Sequence, residues 1–173
     1  MTACRPARSL LACALLGCLT GCPASGDPPG RYPPPTTRYQ GLTAAQWGER
    51  ARGADPQSCR TACAALSRLR AEGIPFLLEA ARHQEGSAEN LNSCLASCDG
   101  TLVAKEDLAR VVPYLATDYA GSDAGDFPVR RSALALLRQA GPKARGWVAA
   151  VKRLTWDPAV GRAAERTLKS IEK

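Results

Sequence analysis

A chain of 173 residues leaves room for one domain of ordinary size. Its residues are 45% hydrophobic but only 5% aromatic, and alanine, leucine and arginine are abundant, a mixture that suits closely stacked helices and argues against the β-branched, ring-rich core of a β-sandwich. The formal charge of +7 is spread along the chain and not gathered in one run, which is the pattern of a solvated surface, so no nucleic-acid partner is expected.

Residues 1–21 read as a removable export signal. Arg5 and Arg8 form a short positive region, and Leu10 to Leu19 supplies an apolar run. At about 1.5 Å per residue that run is too short to cross roughly 30 Å of hydrocarbon, but it matches the apolar region of a secretory signal. Of the 23 basic residues these two fall in the signal, which holds no acid, so 21 would face 16 acids in the mature chain. The run ends in Leu19-Thr20-Gly21-Cys22. This sequence resembles the lipobox of bacterial lipoproteins, in which Leu, a small residue, Gly and Cys occur in that order. The resemblance implies that the Cys22 thiol is alkylated with diacylglycerol, that cleavage falls before Cys22 and that the new amine is acylated. Two or three acyl chains hold a protein firmly at about 0.8 kcal/mol per buried CH₂. Pro23, where an inner-membrane lipoprotein of the enterobacterial type would carry Asp, favours the outer membrane over the inner, with the domain in the periplasm or at the cell surface.

Residues 22–41 read as the lipidated cysteine and a linker. Positions 23–38 hold six prolines and Gly26 and Gly30, with no apolar period. Proline-rich chain is extended at about 3.1 Å per residue, so this spacer could hold the folded part roughly 50 Å from a bilayer.

Residues 42–173 predict an all-α domain. Position 59 recurs at 94 and 129, steps of 35, and again at 160, a step of 31; periods of this size point to solenoids. Asp55 and Asp157 each precede a proline, the order expected of a helix cap followed by a first-turn proline. Val129, Ala133 and Leu136 lie at i, i+4, i+7, on one helix face. Further helices are predicted over Thr43–Arg52, Ile74–Arg82, Leu108–Tyr119 and Ala144–Thr155, with Gly73, Gly100, Gly141 and Pro142 at the joins. The sum is eight helices in four hairpins. Asp126, Val129, Arg130, Ala133, Leu136 and Gly141 resemble the HEAT-type repeat, including the short form of phycobilisome-lyase-like proteins; Asp157, Val160 and Ala164 follow it less fully. The first copy keeps Asp55, Arg60 and Leu66 but has Cys59 and Cys63 where Val and Ala belong, and the copy around Cys94 lacks both Asp and Arg. Tyr39-Gln40-Gly41 ahead of Trp47 looks like the entry segment of exported HEAT proteins. The resemblance implies an α-solenoid of about four HEAT-like hairpins.

Cys59 and Cys63, and Cys94 and Cys98, form twin Cys-x-x-x-Cys pairs, each with two sulfurs on one helix face. Export to an oxidising compartment favours disulfides among these four. Repeats in register would pair Cys59 with Cys94 and Cys63 with Cys98; an antiparallel hairpin, as in twin Cys-x-x-x-Cys mitochondrial chaperones, would pair Cys59 with Cys98 and Cys63 with Cys94. Each bridge would close a loop of about 35 residues and contribute roughly 3–4 kcal/mol. The alternatives are thiols left partly free or otherwise paired, and a four-thiolate zinc or iron–sulfur site; with export weighing against the last, neither metal nor cofactor is expected.

Other chemistry is sparse. His83 is the single histidine and sits near a helix end. Asp118, Asp123 and Asp126 lack the spacing of a calcium loop. Trp47, Trp147 and Trp156 read as core or groove-lining anchors, and Glu49, Glu72, Glu79 and Glu165 show no catalytic pairing. No catalytic residue and no small-molecule substrate is evident. The expected function is therefore a membrane-anchored cell-envelope lipoprotein, held by the lipid on Cys22, that serves as a non-enzymatic scaffold for an unknown envelope protein on the concave face of its repeats. The alternative is an enzyme or chromophore-lyase-type subunit built on the same repeats.

Overall fold

The computed structural model describes residues 37–84, 87–116 and 123–173. The leader at 1–21, Cys22, the proline-rich stretch through residue 36, and Asp118 lie outside the described residues, as do the side chains of Asp123 and Asp126.

The domain opens on a two-residue hairpin. Gln40 and Gly41 have φ of +49° and +79°, the left-handed pair that a type I′ turn requires. They join β1 (Arg38–Tyr39) to β2 (Leu42–Thr43) antiparallel, with Tyr39 opposite Leu42. Ordered packing thus starts ahead of residue 42. Thr43 then ends the strand and begins a helix. Its hydroxyl accepts from the Gln46 backbone N–H at 3.3 Å, and the Gln46 side chain accepts from the Thr43 N–H at 2.9 Å. This reciprocal capping box starts α1 (Ala44–Ala51). Trp47 is buried one turn in, and its indole N–H donates to the Tyr39 carbonyl at 3.0 Å, locking hairpin to helix.

α2 (Pro56–Arg68) begins as expected. The Asp55 carboxylate accepts from the Ser58 N–H at 2.7 Å, and Pro56 occupies the first helical position. Cys59, Ala62, Cys63 and Leu66 make its buried stripe at i, i+3, i+4, i+7. The turn out of α2 is tight: Arg70 has φ +54°, and a single 3-10 turn (Arg70–Glu72) leads to Gly73. α3 (Ile74–His83) buries Ile74, Leu77, Leu78 and Ala81. Ser87 caps α4 (Ala88–Ser97). Between them Gln84 donates to the carbonyls of Ala51 and Gly53, and Asn90 to Ala54 and to the Gln84 side chain, a buried polar tie that clamps the α1–α2 loop onto the start of α4.

Residues 117–119 of the helix predicted over Leu108–Tyr119 lie outside the described residues; the rest is instead two short 3-10 turns, Glu106–Arg110 and Val112–Leu115. Pro113 explains the break: it donates no backbone hydrogen bond and disfavours helical backbone at Val112. α5 (Asp123–Ala140) is the longest helix among the described residues and ends at Gly141, φ +55°. The helix predicted over Ala144–Thr155 is likewise divided, into 3-10 turns at Gly141–Trp147 and Leu154–Trp156 around a short α6 (Val148–Arg153). Pro142 and Gly146 weaken the α-helical ladder there. α7 (Gly161–Ile171) closes the domain.

The domain is therefore mostly helical. α2, α4, α5 and α7 pack in succession, each on the next, while α1 lies on α2 and α3, and α3 on α4. Polar links between neighbours advance in step along both partners of each pair. Asn92 meets Ser132 and Gly100 meets Gln139; Leu134 meets Thr167 and Arg138 meets Ser170, so consecutive members of the row run in the same direction. A similar ion pair recurs down it: Arg60 on α2 reaches Glu89 in the first turn of α4, and Arg130 on α5 reaches Asp157 ahead of α7 at 2.5 Å. The interior is Leu-rich, with Leu66, Leu77, Leu91, Leu95, Leu134 and Leu137 fully buried. No helix among the described residues is long and apolar enough to cross a membrane.

Candidate functional site

The cysteines collect where α2 meets α4. Cys59 and Cys63, one turn apart on α2, both face Cys94 on α4. Their three Sγ atoms lie within 4.8 Å of one another, with Cys63–Cys94 at 3.4 Å and Cys59–Cys63 at 3.9 Å. All three are fully buried. Cys98 stands outside this group, at the end of α4, where its thiol donates to the Cys94 carbonyl at 3.4 Å. The register causes the difference. Cys59 lies against the Asn90 carbonyl and Cys63 against Cys94, a step of 31 in both cases. α4 is thus set one helical turn along α2 from the 35-residue step in the sequence. Asn90 holds it there, because its amide is tied to Ala54, just ahead of α2.

The same crowding sets the electrostatics. The Cys59 thiol is pulled down to about 7, chiefly by its hydrogen bond with Cys94, against the opposing effect of burial and with help from Cys63 and the Arg60 guanidinium. Cys94 moves up through its contacts with Cys59 and Cys63 and through burial. Cys98 moves up through burial.

A second feature lies on the exposed side of the helix row. A groove between α2 and α4, about 580 Å³, is lined by Ala64, Arg68, Arg70, Ala96 and Asp99. The next, between α4 and α5, runs from Asn92 to Arg131 and Ala135, and a third, between α5 and α7, joins it through those same two residues and adds Arg138 and Arg166. Asn92 and Ala96 sit one turn apart on α4, which sets the first groove beside the other two along the helix row. Five arginines line the three grooves against a single aspartate, Asp99. Arg70, whose backbone is held in the left-handed region, belongs to this face.

The sequence reading missed this concentration. Positions 68, 70, 131, 138 and 166 are far apart along the chain and only packing brings them together; the seven-residue step from Arg131 to Arg138, two turns of one helix face, was the available signal. The remaining candidates sit as follows. His83 pairs with Glu79 on the surface at 3.1 Å. Glu49 pairs with Arg52, and Glu72 holds the Thr37 hydroxyl at 2.7 Å. Trp47 is in the core and Trp147 is half-buried, but Trp156 is 92% exposed and anchors nothing. No family model, curated protein or solved structure matches the chain.

Proposed function

We propose that the protein is a cell-envelope lipoprotein, tethered to the membrane by a lipid on Cys22, outer membrane before inner, whose domain is a HEAT-like stack acting as a non-enzymatic scaffold. The observation that carries the reading is the row of arginine-lined grooves along α2, α4, α5 and α7. Opposite charge recruits and orients a partner over a broad surface, so this face suits an acidic segment of an envelope protein. The recurring Arg60–Glu89 and Arg130–Asp157 pairs support the repeat reading, since each ties one member of the row to the start of the next. A solenoid whose outer layer is partly 3-10 turns keeps the inner row that would form such a binding surface.

The test is site-specific photo-crosslinking in intact cells from a reactive residue placed at Ala135. The expected result is capture of envelope proteins, lost when Arg131 and Arg138 are both changed to Glu. A bound chromophore would favour the lyase-type alternative. Capture unaffected by the double charge reversal contradicts the proposal.

A further inference from the structure

We propose that Cys59, Cys63 and Cys94 bind one Cu(I) ion as a three-thiolate site. This departs from the expectation of crosslinks without metal, and it rests on the thiol geometry alone, independently of the scaffold reading. Disulfide chemistry consumes sulfurs in pairs, so a crosslink to Cys94 leaves one member of the cluster unused. A single ion uses all three. Three sulfurs held at about 2.3 Å from a central ion stand roughly 3.7–4.0 Å apart, whether the ion sits in or slightly above their plane. The cluster shows 3.4 and 3.9 Å, with every separation within 4.8 Å, so small side-chain rotations suffice to close it on an ion.

The donor set chooses the metal. Thiolates select copper(I), zinc or iron–sulfur clusters. Structural zinc closes a tetrahedron, and a common iron–sulfur cluster takes four cysteines. Among the described residues no fourth cysteine, histidine or carboxylate joins the three; Cys98, the nearest candidate in sequence, is turned to the Cys94 carbonyl. Copper(I) is satisfied by fewer ligands, and a buried, apolar pocket of cysteines shelters it from oxidation. On binding, three S–Cu bonds form, the three S–H bonds break and their protons pass to solvent; copper remains Cu(I) and no electron moves.

The experiment uses the mature, detergent-solubilised protein, reduced anaerobically with a phosphine and titrated with Cu(I) against a chromophoric chelator. Uptake of one ion per chain, with sulfur-to-copper charge-transfer absorbance, is expected. Cys94→Ser should lose the bound ion while keeping its helical circular dichroism, and Cys98→Ser should retain it. Cys63→Ser, which leaves the α4 cysteine in place, provides a second loss-of-binding variant should Cys94→Ser fail to fold. Failure of the folded, reduced protein to take up Cu(I), or equal loss from Cys98→Ser, overturns the proposal. So does tighter retention of zinc than of copper, or a Cys63–Cys94 disulfide in protein recovered from copper-supplemented cells.

Discussion

Gly73→Ala should destabilise the domain by about 3 kcal/mol or more, at the upper end of what overpacking costs. The clash is with backbone, not with a side chain that can rotate away: a Cβ at position 73 would lie 2.0 Å from the Leu66 carbonyl oxygen and 2.7 Å from its carbon. The reason is the short exit from α2, where Arg70 already occupies a left-handed conformation and the chain folds back within one 3-10 turn to begin α3. Relief of the clash requires α2 and α3 to move apart, and both carry core leucines: Leu66 on one, Leu77 and Leu78 on the other. Urea unfolding of the mature domain measures the effect. Wild-type stability in Gly73→Ala would mean that the turn is looser than described.

Asp157→Asn should cost about 2 kcal/mol at neutral pH, below the roughly 3–5 kcal/mol of a fully buried pair because Asp157 keeps some solvent. Asn preserves shape and can still accept from the N–H groups of Ala159 and Val160, which the carboxylate now holds at 2.8 and 3.2 Å. What it removes is the partner of Arg130, whose side chain is only 7% exposed and whose Nε already lacks a hydrogen-bond acceptor. The pH profile tests whether the ionised carboxylate carries the effect. Burial by itself would raise the Asp157 carboxyl, but Arg130 and the two backbone N–H groups outweigh it and hold the group below its ordinary value of 3.8. A carboxyl depressed in the folded state contributes fully above its unfolded value and loses that contribution as pH falls through the folded one. The gap between wild type and Asp157→Asn should therefore be constant near neutrality and narrow below about pH 4. A gap that persists unchanged to lower pH would show that the ionised carboxylate is not what the substitution removes.

Particular residues show where the sequence was legible. Asp55 caps α2, Trp47 enters the core, and Val129, Ala133 and Leu136 are buried together on α5, because local capping chemistry and helical periodicity decide those features. The segments beside the α2–α4–α5–α7 row were less legible: in the described part of Leu108–Tyr119 the apolar spacing meets Pro113, and the chain forms 3-10 turns there. Trp156 was read by its chemistry alone, and it faces solvent. The two functional candidates were half visible. The sequence placed Cys59 and Cys63 on one helix face, yet the triangle with Cys94 depends on the register set by Asn90, a long-range hydrogen bond that periodicity does not encode. The arginine face was hidden for a related reason. Charge that is evenly spaced along a chain need not be even in space once four helices stack in parallel.

The central claim is that a lipid on Cys22 places this helical domain at a membrane surface, and Cys22→Ala tests it most directly. Cells expressing the variant and the wild type are fractionated, and the helical content of each protein is compared by circular dichroism. The account predicts that wild type sediments with membranes and requires detergent for release, whereas Cys22→Ala is released or mislocalised with its domain still folded. A folded Cys22→Ala variant that remains with membranes as the wild type does would contradict it.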